Sequence, residues 1–548
     1  MITRTVPSAV GLSVPALPGR AVTRLAVRQL RRSGLIVLVL VAALPALVAS
    51  TYTSVMADPA AAGSIAALAA NPAIRTLFGE PIALDQAGGF TVWRVGTFLA
   101  VLLAVWAILA TTRITRGEED AGRWDVLLAG RVPLREAVAR HLGAVMVVPV
   151  AAGVAVTVVL LLAGTDSAGA AVHGAAVHGA GVGVLGLFFV AVAGLAAQVF
   201  PTRTAATGTA VAVLGAALLT RMVGDGLTGL GWLRWLSPFG LLALSEPYAR
   251  NQVMPLLILL AAAVLLAGAA VAAAGRRDVR GGLIAVAAGR RPRLMLLSGV
   301  GAFAVRRMLR PLTGWAVGVG AYYLLIGFTT VSVTEFLSDN PALAEEAARA
   351  GFAALGAVEG FAATLFALLA LPVGGFTAVR VSAFVAAENS RILTLLTAQP
   401  VTRSRLLAAE IAAAAAGAIA LVCVAGFAVW AGIAATGGDL SLLAALGGAW
   451  NTLPVVLLSL GAATLAAGWA PRAAAFAGSL PAAGGFLLLV IADSVGAPGW
   501  VRGLSPFAHL APVPLTAVDW TSTLIMITLG VALCVAGVIG YRRRDLQS

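Results

Sequence analysis

The chain has 548 residues, of which 60% are hydrophobic and only 11% charged, and its formal net charge is +14. A soluble domain carries about 25% charged residues, so this composition excludes a water-soluble fold and marks an integral membrane protein. All 37 basic residues are arginine, which rules out lysine Schiff-base chemistry and any Gly-x-x-x-x-Gly-Lys-Ser/Thr loop, whose lysine must reach the β- and γ-phosphates of a nucleotide.

In chain order, the first twenty residues hold three prolines and no compact apolar core with a cleavage site, so the first span itself is expected to act as the membrane signal. Arg20, Arg24, Arg28 and Arg31 follow at helical spacing with Val22, Leu25 and Leu30 between them, a pattern expected of a helix lying in the interface. Apolar stretches long enough to cross about 30 Å of hydrocarbon are centred on 33–52, 90–112, 140–164, 180–200, 204–223 and 253–275. Six more lie at 312–334, 358–379, 406–435, 442–469, 473–495 and 520–541. Lipid offers no partner for backbone N–H and C=O groups, so these spans must be helical. Their many Gly and Ala residues suit close helix packing. An Arg- and Gly-rich stretch at 276–302 separates the two sets, and Phe303, Arg306, Arg307, Leu309 and Arg310 repeat the basic prelude, with Pro311 expected to mark a turn. The only cysteines, Cys423 and Cys534, fall inside spans and read as small packing residues.

The two sets are copies. Trp232-Leu-Arg-Trp-Leu-Ser-Pro-Phe239 returns as Trp500-Val-Arg-Gly-Leu-Ser-Pro-Phe507 at a shift of 268, and at that shift Trp93 and Phe98 lie over Phe361 and Phe366. An internal duplication of spans implies a pseudo-symmetric bundle, a construction common among transporters. The expected fold class is an all-α polytopic membrane protein of 12 transmembrane helices in two six-helix halves. Its parts are an N-terminal segment and elbow helix (1–32), a first half (33–275), a linker (276–302), a second half with its own elbow (303–541) and a tail (542–548).

With the N-terminus cytoplasmic, the inner segments hold 30 arginines and 9 acids and the outer ones 7 arginines and 14 acids. Arginine gathers on the cytoplasmic face, so both termini are expected inside and the chain in the plasma membrane. The positive charge then reports topology, and nucleic acid is excluded as a partner because the arginines sit in short loops between spans.

The longest inner loops follow the second span of each half. The first carries Asp120, Arg123, Trp124, Leu127 and Leu128, and the second carries Glu388, Arg391, Leu395 and Leu396. Read as helices, Arg123 shares a face with Leu127 and Arg391 with Leu395, which suits docking into a groove on a soluble partner; a helix lying against lipid headgroups would show the same pattern.

These features together resemble the permease subunits of ABC-2-type exporters, and within them the fused twelve-span actinobacterial exporters of polyketide antibiotics (tetronasin-type). The resemblance rests on the basic segments 20–32 and 303–310, the loops with Glu118-Glu119-Asp120-Ala-Gly-Arg123 and Glu388-Asn-Ser-Arg391, and the Leu-Ser-Pro-Phe segments before each sixth span. It covers essentially the whole chain. It implies an ABC-2 (type V exporter-like) fold, coupling helices at the two loops, and two copies of a separate ABC ATPase that holds ATP and Mg. This chain itself would bind no cofactor or metal. It also implies export of hydrophobic or amphipathic compounds such as drugs and polyketide-like antibiotics. Trp124 becomes Ile392 and Arg131 becomes Gln399, so the two docking sites need not be equivalent.

Trp93, Phe98, Trp106, Phe361 and Phe366 are candidates for an apolar substrate cavity. Arg94 and Glu359 occupy nearly matching places and would form an outer latch if the second and eighth spans face each other. A proton-coupled transporter is the alternative, although such proteins need ionisable groups near mid-membrane. An intramembrane enzyme would have to draw on scattered outer acids or on His173 and His178, whose spacing of five is poor for one helical face.

Overall fold

The computed structural model describes residues 18–56, 75–76, 78–163, 168–226, 228–284, 295–339, 341, 356–389, 393, 400–494 and 497–544. Among them there is no strand, and 12 helices are long and apolar enough to cross a membrane. The chain is an all-α multi-pass membrane protein. It divides into two compact units, Met1–Arg290 and Arg291–Ser548, with the boundary inside the Arg- and Gly-rich stretch.

The spans of the first unit are α1 (Pro18–Met56), α2 (Ala87–Ile114), α5 (Leu134–Ala163), α6 (Ala168–Val199), α7 (Arg203–Gly226) and α9 (Met254–Ala274). Two short helices, α3 (Arg116–Asp120) and α4 (Arg123–Leu128), follow α2, and α8 (Pro238–Ala243) precedes α9. The basic prelude forms no separate elbow, being the first turns of a continuous α1. Packing holds it in line: Val22, Ala26 and Leu30, one helical turn apart, are all buried. Val22 packs with Val132 and Ala137 and the other two join a cluster with Val138 and Leu142.

The spans of the second unit are α10 (Val300–Asp339), α11 (Val358–Asn389), α12 (Arg403–Ala435), the pair α13 (Leu442–Trp450) and α14 (Leu453–Trp469), a fifth span from α15 (Ala474–Ser479) through a π turn (Leu480–Gly484) to α16 (Gly485–Ser494), and α18 (Trp520–Arg543). Between the last two lies α17 (Gly499–Arg502). Here too the basic prelude is continuous with its span, and Pro311 lies inside α10 without ending it. The register differs from the first unit in the fourth span, which is broken at Asn451-Thr452, where the Asn451 amide donates to the Ala511 carbonyl at 2.8 Å.

Each unit is built around its fourth span, 67% buried over its most apolar window in both, with the second span next at 56% and 61%. Small residues permit this. A Cβ on Gly153 of α5 would stand 2.6 Å from the Gly179 carbonyl oxygen of α6, and one on Gly468 of α14 would stand 2.3 Å from that of Gly537 of α18, so only glycine allows these backbones to approach. The outer spans expose large apolar side chains such as Leu162, Leu265 and Leu524, a surface that hydrocarbon covers and water would not tolerate.

Candidate functional site

A buried carboxylate organises one end of the first unit. Glu119 of α3 is 1% exposed and accepts both terminal nitrogens of Arg277, Nη1 at 2.6 Å and Nη2 at 2.8 Å, together with the Arg280 backbone N–H at 2.6 Å. Arg116, fully buried one turn earlier, lies 3.2 Å from the same carboxylate and donates to the Ala197 carbonyl at the end of α6. The segment 275–284, beyond the sixth span, is thereby pinned beneath the loop after the second, and its Leu283 and Ile284 N–H groups donate to the Gln198 and Val199 carbonyls. Asp120 accepts the Arg203 N–H at 2.7 Å, which places a negative charge at the N-terminus of α7, where the helix dipole favours it.

Above this clamp, α4 presents a narrow crest. Arg123 makes a two-point ion pair with Glu118, Nε at 2.5 Å and Nη2 at 2.7 Å, and that hydrogen bond raises the guanidinium pKa above its usual value. Asp125 pairs with Arg280, and Val126 is 81% exposed. Trp124 instead points inward, 2% exposed, with its ring 5.1 Å from that of His141.

The second unit repeats the clamp in simpler form. Glu388 at the end of α11 is gripped by Arg544, just past the sixth span. Arg544 also donates to the Ala467 carbonyl at 2.8 Å and lies over the Tyr541 ring. Leu393 is buried with Phe384, Leu406, Leu407 and Tyr541.

The repeated Leu-Ser-Pro-Phe segments, each between the fifth and sixth spans of its own unit, do one job twice. Ser237 Oγ donates to the Ala217 carbonyl at 2.6 Å and accepts the Gly240 N–H, while Ser505 Oγ donates to the Gly485 carbonyl at 2.8 Å and accepts the Phe507 N–H. Both donors and both carbonyls are 268 apart, so the duplication survives at the level of single hydrogen bonds. Phe239 and Phe507 are buried below the serines, while Trp232, Trp235 and Trp500 stay exposed, the placement expected of indoles at a membrane interface.

A family model described as the multidrug efflux system permease Rv1217c, C-terminal domain, matches residues 20–274 and 297–542. The multidrug efflux system permease protein Rv1217c of Mycobacterium tuberculosis is 32% identical over 509 residues, covering 91% of this chain and 90% of that relative. The chain belongs to this multidrug efflux permease family. The two matched stretches fall one in each unit.

In this permease, the loop residues singled out from sequence divide by role. Arg123 is on the exposed crest, Asp120 caps α7, and Trp124 is core. Leu127 and Leu128 are half-buried against Val22, Val132 and Ala137, so the apolar edge read as a docking face is largely covered by the permease itself. Arg391, Leu395 and Leu396 lie outside the described residues. Trp93 is half-buried, its indole N–H donating to the Gly79 carbonyl at 3.2 Å. Trp106 is packed between two core clusters. Phe98 is 60% exposed whereas Phe366 is 1% exposed, so these aligned residues are not equivalent in burial. Arg94 lies over the Phe90 ring of its own helix; Glu359 and Phe361 are half-buried in the first turns of α11.

Sequence reading quoted Glu119 only as part of its loop motif, and it missed Arg277 and Arg544. The available signal was an arginine cluster past each sixth span, Arg276-Arg277 and Arg542-Arg543-Arg544, which positive-inside anchoring explained sufficiently to hide its second use.

Proposed function

We propose that the permease is the membrane subunit of an ATP-driven ABC-2-type exporter of hydrophobic and amphipathic compounds, polyketide-like antibiotics among them. Two copies of a separate ATPase, holding ATP and Mg, would dock on the loops after the second and eighth spans, with both termini cytoplasmic. The observation that carries this reading is the way the first loop is built. An exposed crest at Arg123 and Val126 stands on a carboxylate clamp that ties it to the N-terminus of α7 and to the segment after α9. A push on the crest would therefore reach spans two, five and six together, which is what a coupling element must do.

Two further facts bear on how export would be powered. The chain has no lysine with which to form its own phosphate loop, so nucleotide hydrolysis belongs on another polypeptide. Asp225 and Glu410, buried acids within spans, are each tied into an ion pair, with Arg221 and with Arg307 and Arg380 respectively, so neither carboxylate stands alone in its span. The relative's name, a multidrug efflux permease, supports the substrate class.

The test is purification in gentle detergent after expression with the neighbouring genes, followed by native mass and ATPase assay. The expected result is two ATPase copies per permease with activity altered by hydrophobic drugs. A chain that transports alone on a proton gradient would overturn the reading.

A further inference from the structure

A cavity of about 70 Å³ opens beside the Ala87 end of α2, at the far end of the first unit from the clamp. Its walls mix apolar side chains, Phe78, Trp93 and Leu242, with His178, Arg221 and Arg234. His178 is 3% exposed, and its Nδ1 is buried without a hydrogen-bond partner. A buried polar atom left unpaired costs stability that a leucine in its place would not. Space has been kept beside this ring: a Cβ on Gly96 would stand 3.1 Å from its Cε1.

The surrounding charges leave a positive excess. Asp225 is paired with Arg221, Glu80 is shared by Arg75 and Arg234, and Glu246 is paired with Arg250, four arginines against three carboxylates. The duplication provides an internal comparison. Ala217/Gly485 and Ser237/Ser505 fix the register of the fifth span, and in that register Leu489 stands where Arg221 does. The opening of the fourth span in the second unit, Leu442–Trp450, has no ionisable residue. Arg234 is repeated as Arg502 and Asp225 as Asp493, whereas Arg221 and His178 meet Leu489 and Leu446; the presence of these two polar groups in one half alone points to a bound molecule.

We propose that this cavity is a binding subsite for the acidic end of an amphipathic molecule, a carboxylate or phenol, whose apolar body lies along Phe78, Trp93 and Leu242. The tautomer with its proton on Nδ1 donates that N–H to the acid, and the uncompensated arginine charge supplies the field. The assignment rests on the reading of the chain as an exporter of amphipathic compounds, whatever powers export.

The full-length permease in lipid nanodiscs is tested by equilibrium dialysis with radiolabelled 4-hexylbenzoate and its neutral match, 4-hexylbenzyl alcohol, with empty nanodiscs correcting for partition. The acid should bind saturably and about tenfold more tightly than the alcohol, the scale of one hydrogen bond to a charged group. His178→Leu, which removes an unpaired polar group from the core and should fold, and Arg234→Gln should each weaken acid binding by about the same factor. His173→Leu, on the same helix but exposed, should not. Equal binding of acid and alcohol, or wild-type acid binding in both cavity variants, overturns the subsite. Export of a drug panel is measured in parallel with the co-expressed ATPase. Acid binding with no export of any compound would refute the exporter reading while the subsite stands, and unimpaired export with no acid preference would do the reverse.

Discussion

Replacing Glu119 by alanine tests the clamp most directly. The side chain is 1% exposed, and its removal leaves two guanidinium groups, Arg116 at 0% and Arg277 at 2%, buried beside an emptied site. Breaking a buried ion pair by deleting one partner costs about 3–5 kcal/mol because the remaining charge is stranded. That range corresponds to a shift of about 100- to 4,000-fold in the equilibrium between closed and open loop. Because the clamp is local, the cost should appear as local opening rather than loss of membrane insertion. Trypsin supplies the assay, since Arg123 and Arg280 lie in the loop and its pinned segment with side chains 61% exposed. In the regime where reclosing outpaces cleavage, the cutting rate follows the open population, so cleavage in the 116–131 and 276–280 regions should accelerate by about 100-fold or more. Arg277→Ala should do the same, and the double variant should fall well short of the sum, because the second deletion removes the charge that the first one stranded. A change of less than about threefold in either single variant, or full additivity in the double, would refute the clamp as the element that holds the loop.

Glu388→Ala should open the second loop by less than Glu119→Ala opens the first, because Glu388 and Arg544 are 10% and 18% exposed and water screens what remains; the same proteolysis reads this. Arg123→Ala removes an exposed pair worth under about 1 kcal/mol, so thermal stability should stay constant while ATPase co-purification or coupling falls, and Arg391→Ala should behave alike. Normal coupled export in both would remove these arginines from the mechanism. Ser237→Ala and Ser505→Ala should each lower stability by about 1–2 kcal/mol through loss of a cap and a buried hydrogen bond, measured by thermal unfolding; an effect in only one half would contradict their equivalence. Asp519 caps α18, and hydrogen bonds from the Ser522 hydroxyl and from the Ser522 and Thr521 N–H groups hold its carboxyl below the usual range. Its contribution is therefore present above the ordinary carboxylate pKa and lost as pH falls through the lowered one, so the stability difference between wild type and Asp519→Ala should narrow on acidification and stay flat from neutral pH upward.

The placement of side chains within each loop was less legible than the loops themselves. Leu127 and Leu128 have the spacing of a docking face, but Val22 at the start of α1 covers them, a contact more than a hundred residues distant in sequence. The basic stretch before the first span forms no separate elbow for a related reason: Val22, Ala26 and Leu30 give it a buried stripe, and packing along it keeps the stretch continuous with α1. Phe98 and Phe366 align in sequence yet one is exposed and the other buried, because the neighbours a side chain meets are set by packing and leave no mark on its hydropathy.

Composition, length of apolar runs and repetition at a shift of 268 were sufficient for the spans and the duplication, since lipid permits only helices and a copied segment keeps its turn chemistry. The pairing of Glu119 with Arg277 and of Glu388 with Arg544 was settled by the tertiary structure alone. These partners stand 158 and 156 residues apart, with no local period connecting them. An arginine beyond a membrane span has the same sequence signature whether it meets lipid phosphate, water or a carboxylate, and only the packed bundle brings one particular acid within reach.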